Sequence, residues 1–528
     1  MTAGRLAARI EEVVSAAARA LSGPDTVAAI DADQARAYDL AMLASDAAAL
    51  RALEAGLRGE TPGPATSRLA VGLLVRDAHG RLARIGVSPP PDDEWKQACE
   101  LADEPTAVAA IGEAPDMAAI GLDDETRVLA AELRRFGESE IAPLAGDIHR
   151  EDRDVPEEII RGLGGMGVFG LSVPEEHGGS RAAAGGDHLP MVLATEVLSS
   201  YSLAAAGSLI TRPEILTAAL LAGGTEEQKQ RWLPGIASGE LMVAVAVTEP
   251  DAGSDVAAVR LDARRVAGGY SLTGTKTWST FAGRAELLMV LARTDPDRGS
   301  GHRGLSLFVV EKPPRAGTSF TITQEQGRSL AGTAIPTIGY RGMHSFELRF
   351  DGWLVPEGAL IGGERGLGRG FYLQMGAFAA GRLQTAARAV GIMQSAFDLA
   401  AGHAEERRVF GRRLSDYGLT RHRLAGLVAR LAVARLFVRR VAAYLDSGDG
   451  QLHAAMVKAL ACRYAEEATR DAMQLFGGYG YAEESDVARL YVDARVLSIF
   501  EGTEEVLALR VIARSLAEQA SAPETASD

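Results

Sequence analysis

Cysteine is nearly absent: Cys99 and Cys462 are the only two in 528 residues. So small a supply excludes a disulfide-stapled scaffold and a cysteine-built metal cluster, and it favours a reducing compartment. Lysine is scarce too, limited to Lys96, Lys229, Lys276, Lys312 and Lys458. Arginine therefore supplies nearly all positive charge, a bias that reads as genome composition rather than function. Positive charge also falls short overall, with 55 basic against 70 acidic residues and a formal net charge of -15. A nucleic-acid backbone would be repelled by such a chain, so no nucleic-acid partner is expected. Long hydrophobic runs are missing, each being broken by charge or glycine well before the ~18 residues of a membrane span. The N-terminal stretch MTAGRLAARIEEVVSAAARALSG carries Glu11 and Glu12 and reads as an amphipathic helix, not a signal peptide. A soluble, cytoplasmic protein without a membrane partner is expected. HExxH, CxxC and GxSxG motifs are absent as well, which leaves zinc and serine-hydrolase chemistry without a foothold.

What is present is enough apolar residue, 47% with a mean hydropathy of +0.02, to build sizeable cores. At roughly 150 residues per domain the length implies about three to four units. Residues 1–122 read as an extension of separate character. One helix ends near Ser22-Gly23-Pro24, and a second starts near Asp31, with Leu40, Leu43, Ala47, Leu50 and Leu57 at helical spacing, stopping at Gly59 and Pro62. RLAVGLLV and RLARIGV flank Asp77-Ala78-His79-Gly80, a pattern that predicts a β-hairpin. Pro89-Pro90-Pro91 opens a connector running to about Leu122. Residues 123–240 are dominated by helix signals. Residues 241–360 carry short runs such as LMVAVAVT, YSLTGT, ELLMVLAR, LSLFVV and SFELRF, which predict a largely antiparallel sheet. Residues 361–520 return to long helical periods, followed by a tail expected to be disordered.

Three patterns carry possible chemistry. Gly162-Leu163-Gly164-Gly165-Met166-Gly167 matches GxGxxG, but a helix precedes it where a dinucleotide site needs a strand, so a helix–helix corner is expected instead. The glycines from Gly362 to Gly370 likewise predict the turn before a long helix. The run Arg407-Arg408-Val409-Phe410-Gly411-Arg412-Arg413 fits a solvated helix face and a bidentate phosphate clamp about equally. Thr248-Glu249-Pro250-Asp251-Ala252-Gly253-Ser254-Asp255 fits an anion-binding nest or an ordinary polar turn.

Longer motifs go further. V-T-E-P-D-A-G-S-D at 247–255 and L-T-G-T-K-T-W-S-T at 272–280 strongly resemble the flavin-binding region of acyl-CoA dehydrogenases. R-x-x-F-G at 407–411, Q-L-F-G-G-Y-G-Y at 474–481 and I-F-E-G-T-E-E-V at 499–506 follow in the family's order and spacing. The likeness spans about Asp123 to Leu516. It implies an α+β fold: an N-terminal helical domain, a middle antiparallel β-barrel-like domain and a C-terminal four-helix bundle, behind a mostly helical extension. I-G-Y-R-G-M-H-S-F-E-L-R-F-D-G-W-L-V-P at 338–356, G-R-L-Q-T-A-A-R-A-V-G at 381–391 and I-D-A-D-Q-A-R-A-Y-D-L-A-M-L-A at 30–44 are similar to the branch of the family that oxidises (2S)-methylsuccinyl-CoA in the ethylmalonyl-CoA pathway.

The resemblance implies removal of an α-proton and a β-hydride from an acyl-CoA thioester, with FAD as cofactor and the hydride going to flavin N5. Glu501 falls on the catalytic-base position; on composition alone it would read as a solvated loop residue. A carboxylate desolvated beside the thioester is a stronger base, and the Glu501 backbone N–H would donate to the thioester oxygen. The resemblance places Val247 and Thr248 beside the flavin ring. It sets Gly253 and Ser254 at the pyrophosphate or pantetheine side, and Trp278 and Thr280 along the flavin edge. Arg407, Phe410, Gln474, Gly477 and Gly478 match positions that reach FAD in a neighbouring subunit, and Thr503 also touches cofactor. A homodimer or homotetramer is implied, with electron-transfer flavoprotein as electron acceptor. Ser254, Arg382 and Gly502 match substrate-side positions. Arg212 and Arg388 are candidates to hold a second substrate carboxylate, although a structural role suits either one. Gly418, Ala379 and Val492 depart from the family's usual residues for adenosine or CoA contact. An oxidase on the same scaffold, or a non-catalytic acyl-CoA-binding protein, is the alternative; a flavin monooxygenase fits less well because such relatives commonly lack the base.

Overall fold

The computed structural model describes residues 2–23, 25–56, 62–91, 93–101, 107–181 and 187–521. Pro24, Gly59 and the tail beyond 521 lie outside the described residues, and with them the expectations placed there. The chain divides into two compact units, residues 1–132 with 385–528, and residues 133–384. The helix Gly370–Glu406 begins in the second unit and ends in the first.

In the second unit the helices Ala142–Glu151, Glu157–Gly165, Leu189–Tyr201, Thr211–Gly223 and Glu226–Ser238 precede a sheet. The last of these starts at a capping box, in which Thr225 and Gln228 bond each other's backbone N–H. Gln228 also donates to the carbonyls of Gly358 and Leu360 at 2.9 and 2.6 Å, tying the helix to the loop beyond the sheet. The helix Glu157–Gly165 ends at Met166, and Gly167 takes φ 72. The GxGxxG pattern therefore makes a helix end and corner, as its context predicts.

The strands are β1 (Val243–Ala246), β2 (Asp262–Val266), β3 (Gly269–Thr280), β4 (Leu287–Arg293), β5 (Leu305–Glu311), β6 (Ser319–Thr323), β7 (Ser329–Ile335) and β8 (Ser345–Pro356). They pair in the order β1-β4-β2-β3-β8-β7-β6, with β5 on β4. The sheet is not wholly antiparallel. β1 runs parallel to β4, because the chain crosses over through β2 and β3 before returning beside it. Every residue of β4 is buried, as befits a strand covered on both faces. Leu287, Met289 and Leu291 pack with Ile215, Trp232, Leu233 and Ile236 of the helices. Leu288, Val290 and Ala292 point the other way, into a second core with Leu272, Phe308, Phe346, Leu348 and Phe350. Period-two alternation thus builds two cores from one strand, each large side chain contributing about 1.5–3 kcal/mol.

The first unit is helical. Leu6, Ile10, Val14, Ala17 and Leu21 form the buried stripe of Ala3–Leu21, which packs on Gln34–Ala55. The latter is buried along most of its length and starts at Asp33, whose carboxylate accepts from Arg36 N. The predicted hairpin over 68–87 is a helix, Pro64–Arg84. Ala70, Leu74, Ala78 and Leu82 recur every four residues on one buried face, Leu69 is buried on another side, and that packing outweighs the turn-like Asp-Ala-His-Gly. The expected connector also holds structure, the helices Asp93–Glu100 and Ala107–Glu113. The extension is not a compact unit of its own. Its helices pack against Gly418–Asp446 and Gln451–Phe476, and Arg439 of the former donates to the carbonyls of Ala118 (3.0 Å) and Ile120. Asp39 and Arg84 pair bidentately at 2.8 and 2.9 Å. Asp46, wholly enclosed, is pushed up to about 7 by burial, with Arg81 at 3.3 Å opposing the shift. Among the described residues no helix is long and apolar enough to cross a membrane.

Candidate active site

In the second unit, one end of the sheet gathers Val247, Thr248, Trp278 and Thr280. Thr248 follows β1, and its carbonyl accepts from Thr277 N of β3 at 2.8 Å. The Thr248–Asp255 segment is closed by reciprocal bonds between the Glu249 and Ala252 backbones, both 3.0 Å, which leaves Gly253 and Ser254 exposed beyond them. The Glu249 carboxylate turns inward and accepts from Arg260 N, Leu261 N and Lys276 Nζ at 2.7, 2.8 and 2.8 Å. Lys276, fully buried on β3, also donates to Val247 O at 2.8 Å. Burial pushes its ammonium down to about 8 against the opposing pull of Glu249.

The register of β3 against β8 slips between Lys276 and Ser279. At that bulge Trp278 takes φ 57 and its side chain stands 55% exposed, while Thr280 stays buried with its hydroxyl 2.9 Å from that of Ser345. A bulge re-aims a side chain out of the sheet. Here it turns a flat aromatic face outward, next to Thr277, whose N–H ties β3 to the start of the Thr248–Asp255 segment. Arg212, in the first turn of Thr211–Gly223, is already engaged, donating to Ser208 O and the Tyr340 hydroxyl at 3.0 Å each. Arg382 is half-buried on Gly370–Glu406.

In the first unit the structure brings Arg388 to the Glu501 loop. Arg388 is fully buried, donates to the Thr385 hydroxyl at 2.6 Å, and lies 4.8 Å over the Phe500 ring. After the helix Asp486–Leu497, Glu501 takes φ 56 and Gly502 φ 94, so the backbone reverses on a left-handed pair. Glu501 Oε2 is buried and accepts no hydrogen bond among the described residues. Gly502 O accepts from Lys458 Nζ at 2.7 Å, and Thr503 Oγ1 caps the next turn by accepting from Val506 N.

A separate cluster of the same unit holds the other residues. Arg407 follows the end of Gly370–Glu406. Residues 408–413 then form a tight hairpin, Arg408–Val409 against Arg412–Arg413, and not a helix face. Phe410 at its tip is 97% exposed with φ 48. Gln474, Gly477 and Gly478 are exposed at the end of Gln451–Phe476, where Phe476 stacks 4.1 Å from His403 and so adjoins the Arg407 segment.

Three family models match in series: the N-terminal domain of acyl-CoA dehydrogenase over residues 123–240, its middle domain over 244–353 and its C-terminal domain over 368–517. The chain belongs to the acyl-CoA dehydrogenase family. Family members are flavin-dependent oxidoreductases acting on acyl-CoA. The chain is 39% identical over 399 residues to (2S)-methylsuccinyl-CoA dehydrogenase of Cereibacter sphaeroides, covering 75% of this chain and 70% of that protein. It is 31% identical over 384 residues to subunit CarC of the caffeyl-CoA reductase–Etf complex of Acetobacterium woodii, covering 72% and 96%. Its fold matches butyryl-CoA dehydrogenase from Megasphaera elsdenii with a TM-score of 0.68 at 31% identity, over 75% of this chain and 98% of that one. The family's helical terminal domains and middle β domain are those described above.

Sequence reasoning passed over Lys276, Glu249 and Lys458, which shape the family's loops from beneath. The signal was available: in a chain of five lysines, Lys276 lies in a strand pattern and Lys458 sits in A-A-M-V-K-A-L-A.

Proposed function

We propose that this acyl-CoA dehydrogenase binds FAD and converts a short branched acyl-CoA, (2S)-methylsuccinyl-CoA, to mesaconyl-CoA. FAD, when bound, supplies the acceptor for the β-hydride. Glu501 removes the α-proton; its buried Oε2, which no donor occupies, is the observation that carries the reading. The Glu501 backbone N–H is suited to polarise the thioester oxygen. Trp278 and Thr280 border the flavin, Val247 and Thr248 lie against its ring, and Gly253 and Ser254 meet phosphate or pantetheine. The exposure of Arg407, Phe410, Gln474, Gly477 and Gly478 supports their reaching the FAD of a second copy in a dimer or tetramer. Arg388, buried beside Phe500 and bonded to Thr385, and Arg212, held by Ser208 and Tyr340, are the two candidates for a second carboxylate. Arg382 and Gly502 complete the substrate side. Electron-transfer flavoprotein takes the electrons, a reading supported by the Etf complex to which the Acetobacterium relative belongs.

An anaerobic titration tests the substrate. (2S)-Methylsuccinyl-CoA is expected to bleach the flavin absorbance at concentrations where butyryl-CoA and isobutyryl-CoA do not. Bleaching by a monocarboxylic acyl-CoA alone would overturn the dicarboxylate reading, and a purified protein without flavin would overturn the enzymatic one.

A further inference from the structure

The loop that carries Glu501 is anchored on both sides. On one side Lys458 donates to Gly502 O at 2.7 Å. On the other, Glu504 opens the short helix Glu504–Val506, and its Oε1 accepts from Arg463 at 2.5 Å and from the Tyr38 hydroxyl. Arg463 donates to the Tyr38 hydroxyl oxygen as well, so the three side chains close a triangle. Arg463 belongs to the same helix as Lys458. Tyr38 does not: it sits on Gln34–Ala55, within the first 122 residues and ahead of every family-matched segment. The same part of the extension grips the segment a second time, where Asp31 pairs with Arg510 at 2.9 Å.

We propose that Tyr38 is a positioning residue for the reaction, through which the N-terminal extension holds the Glu501 loop in its working conformation. The proposal rests on reading Glu501 as the base. A non-glycine residue at positive φ persists only where its surroundings over-determine it. At Glu501 (φ 56) the left-handed conformation brings Cβ close to the following carbonyl oxygen and is unfavourable by itself. Hydrogen bonds to a carboxylate are among the stronger ones, enough to decide whether the loop keeps that conformation. Lys458 fixes one peptide of the loop, and the Tyr38–Arg463–Glu504 triangle fixes the turn that follows. With either anchor lost, the Glu501 carboxylate can drift, and small misplacements of a reacting group are costly to rate. The triangle also encloses a second carboxylate three residues from the base and compensates its charge with Arg463. The contact does not switch near neutral pH, because burial and the neighbouring Glu504 push the Tyr38 hydroxyl up to about 12.

The test is Tyr38→Phe in the full-length holoenzyme, read by anaerobic stopped-flow reduction of the flavin with (2S)-methylsuccinyl-CoA and, in parallel, butyryl-CoA. With whichever thioester reduces the wild type, the limiting rate should fall about tenfold. The half-saturating concentration should move less than twofold, with flavin content and melting temperature close to wild type. In a Glu504→Gln background the added Tyr38→Phe should change the rate less than twofold, because the partner is already altered. Arg463→Lys keeps the charge but cannot span both partners, and should slow reduction at least threefold. Wild-type limiting rates in Tyr38→Phe and Arg463→Lys overturn the inference, as does an undiminished Tyr38→Phe effect in the Glu504→Gln background. Glu501→Gln, run alongside, separates the two failures: rapid reduction in that variant defeats the base assignment. Its loss of reduction beside an unaffected Tyr38→Phe defeats only the positioning role.

Discussion

Lys276→Met removes one ammonium and little else, since methionine keeps the length of the stem. The lysine is fully buried and makes two bonds, to Val247 O and to Glu249, each 2.8 Å. After the substitution Glu249, 8% exposed, still accepts from Arg260 N and Leu261 N but faces no cation in that direction. Breaking a buried ion pair from one side typically costs about 3–5 kcal/mol, because the remaining charge is left desolvated. The two retained amide donors argue for the lower end, about 3 kcal/mol. For a unit of residues 133–384, each kcal/mol shifts the melting temperature by about 2–4 °C, so a fall of ~6–12 °C is expected by scanning calorimetry. Flavin retention should weaken with it, because the same ammonium fixes the carbonyl of Val247. The double variant Lys276→Met/Glu249→Gln removes the stranded charge and should recover at least ~1 kcal/mol. A single-variant shift under 2 °C, or a double variant no better than the single, would show that Glu249 does not depend on the Lys276 ammonium.

His344 and Asp154 form a second charged pair at 3.0 Å, with the other ring nitrogen of His344 on Asp152 O at 3.1 Å. The bond to Asp154 raises the imidazole above its ordinary range, and the bond to His344 lowers the Asp154 carboxyl. The histidine's contribution is thus complete below about pH 6.5 and is lost as pH rises through its folded value. That of Asp154 is present above about pH 4 and lost on acidification. Wild type should melt ~2–4 °C higher than His344→Asn at pH 6, about 1 kcal/mol for a partly exposed pair, and the gap should narrow at pH 8.5; a gap that widens with pH would contradict the pairing. Gly370→Ala should destabilise even though alanine favours helix by about 1 kcal/mol, because a Cβ there would lie 2.4 Å from Ser306 C and 2.7 Å from Leu307 N of β5. A higher melting temperature in that variant would show that helix and strand can separate.

Much of this architecture was legible in the sequence, for identifiable reasons. The runs 287–293 and 305–311 are short, apolar and bounded by turn residues, so β4 and β5 announce themselves. The direction of β1 does not, since it depends on a crossover of some 40 residues and not on any local signal. Pro64–Arg84 reads as a hairpin in the sequence because Asp-Ala-His-Gly carries strong turn chemistry, whereas its helical stripe becomes decisive only once Gly418–Asp446 is there to cover it. The arginine run 407–413 left helix and clamp open; the positive φ of Phe410 and Gly411 settles its shape as a hairpin. At the proposed site, the motifs single out Glu501, Trp278 and the Gly253-Ser254 turn as candidates. Their supports are long-range side-chain meetings such as Tyr38 with Glu504, 466 residues apart, which no local pattern encodes.

If Glu501 takes the α-proton of a flavin-oxidised acyl-CoA, its amide variant must stall reduction of the flavin. Anaerobic flavin reduction in Glu501→Gln tests it most directly, with the variant first shown to retain its FAD. Full flavin content is expected, with a reductive half-reaction slowed at least ~10²-fold, the lower end for loss of an acid–base group. Reduction at close to the wild-type rate would contradict it.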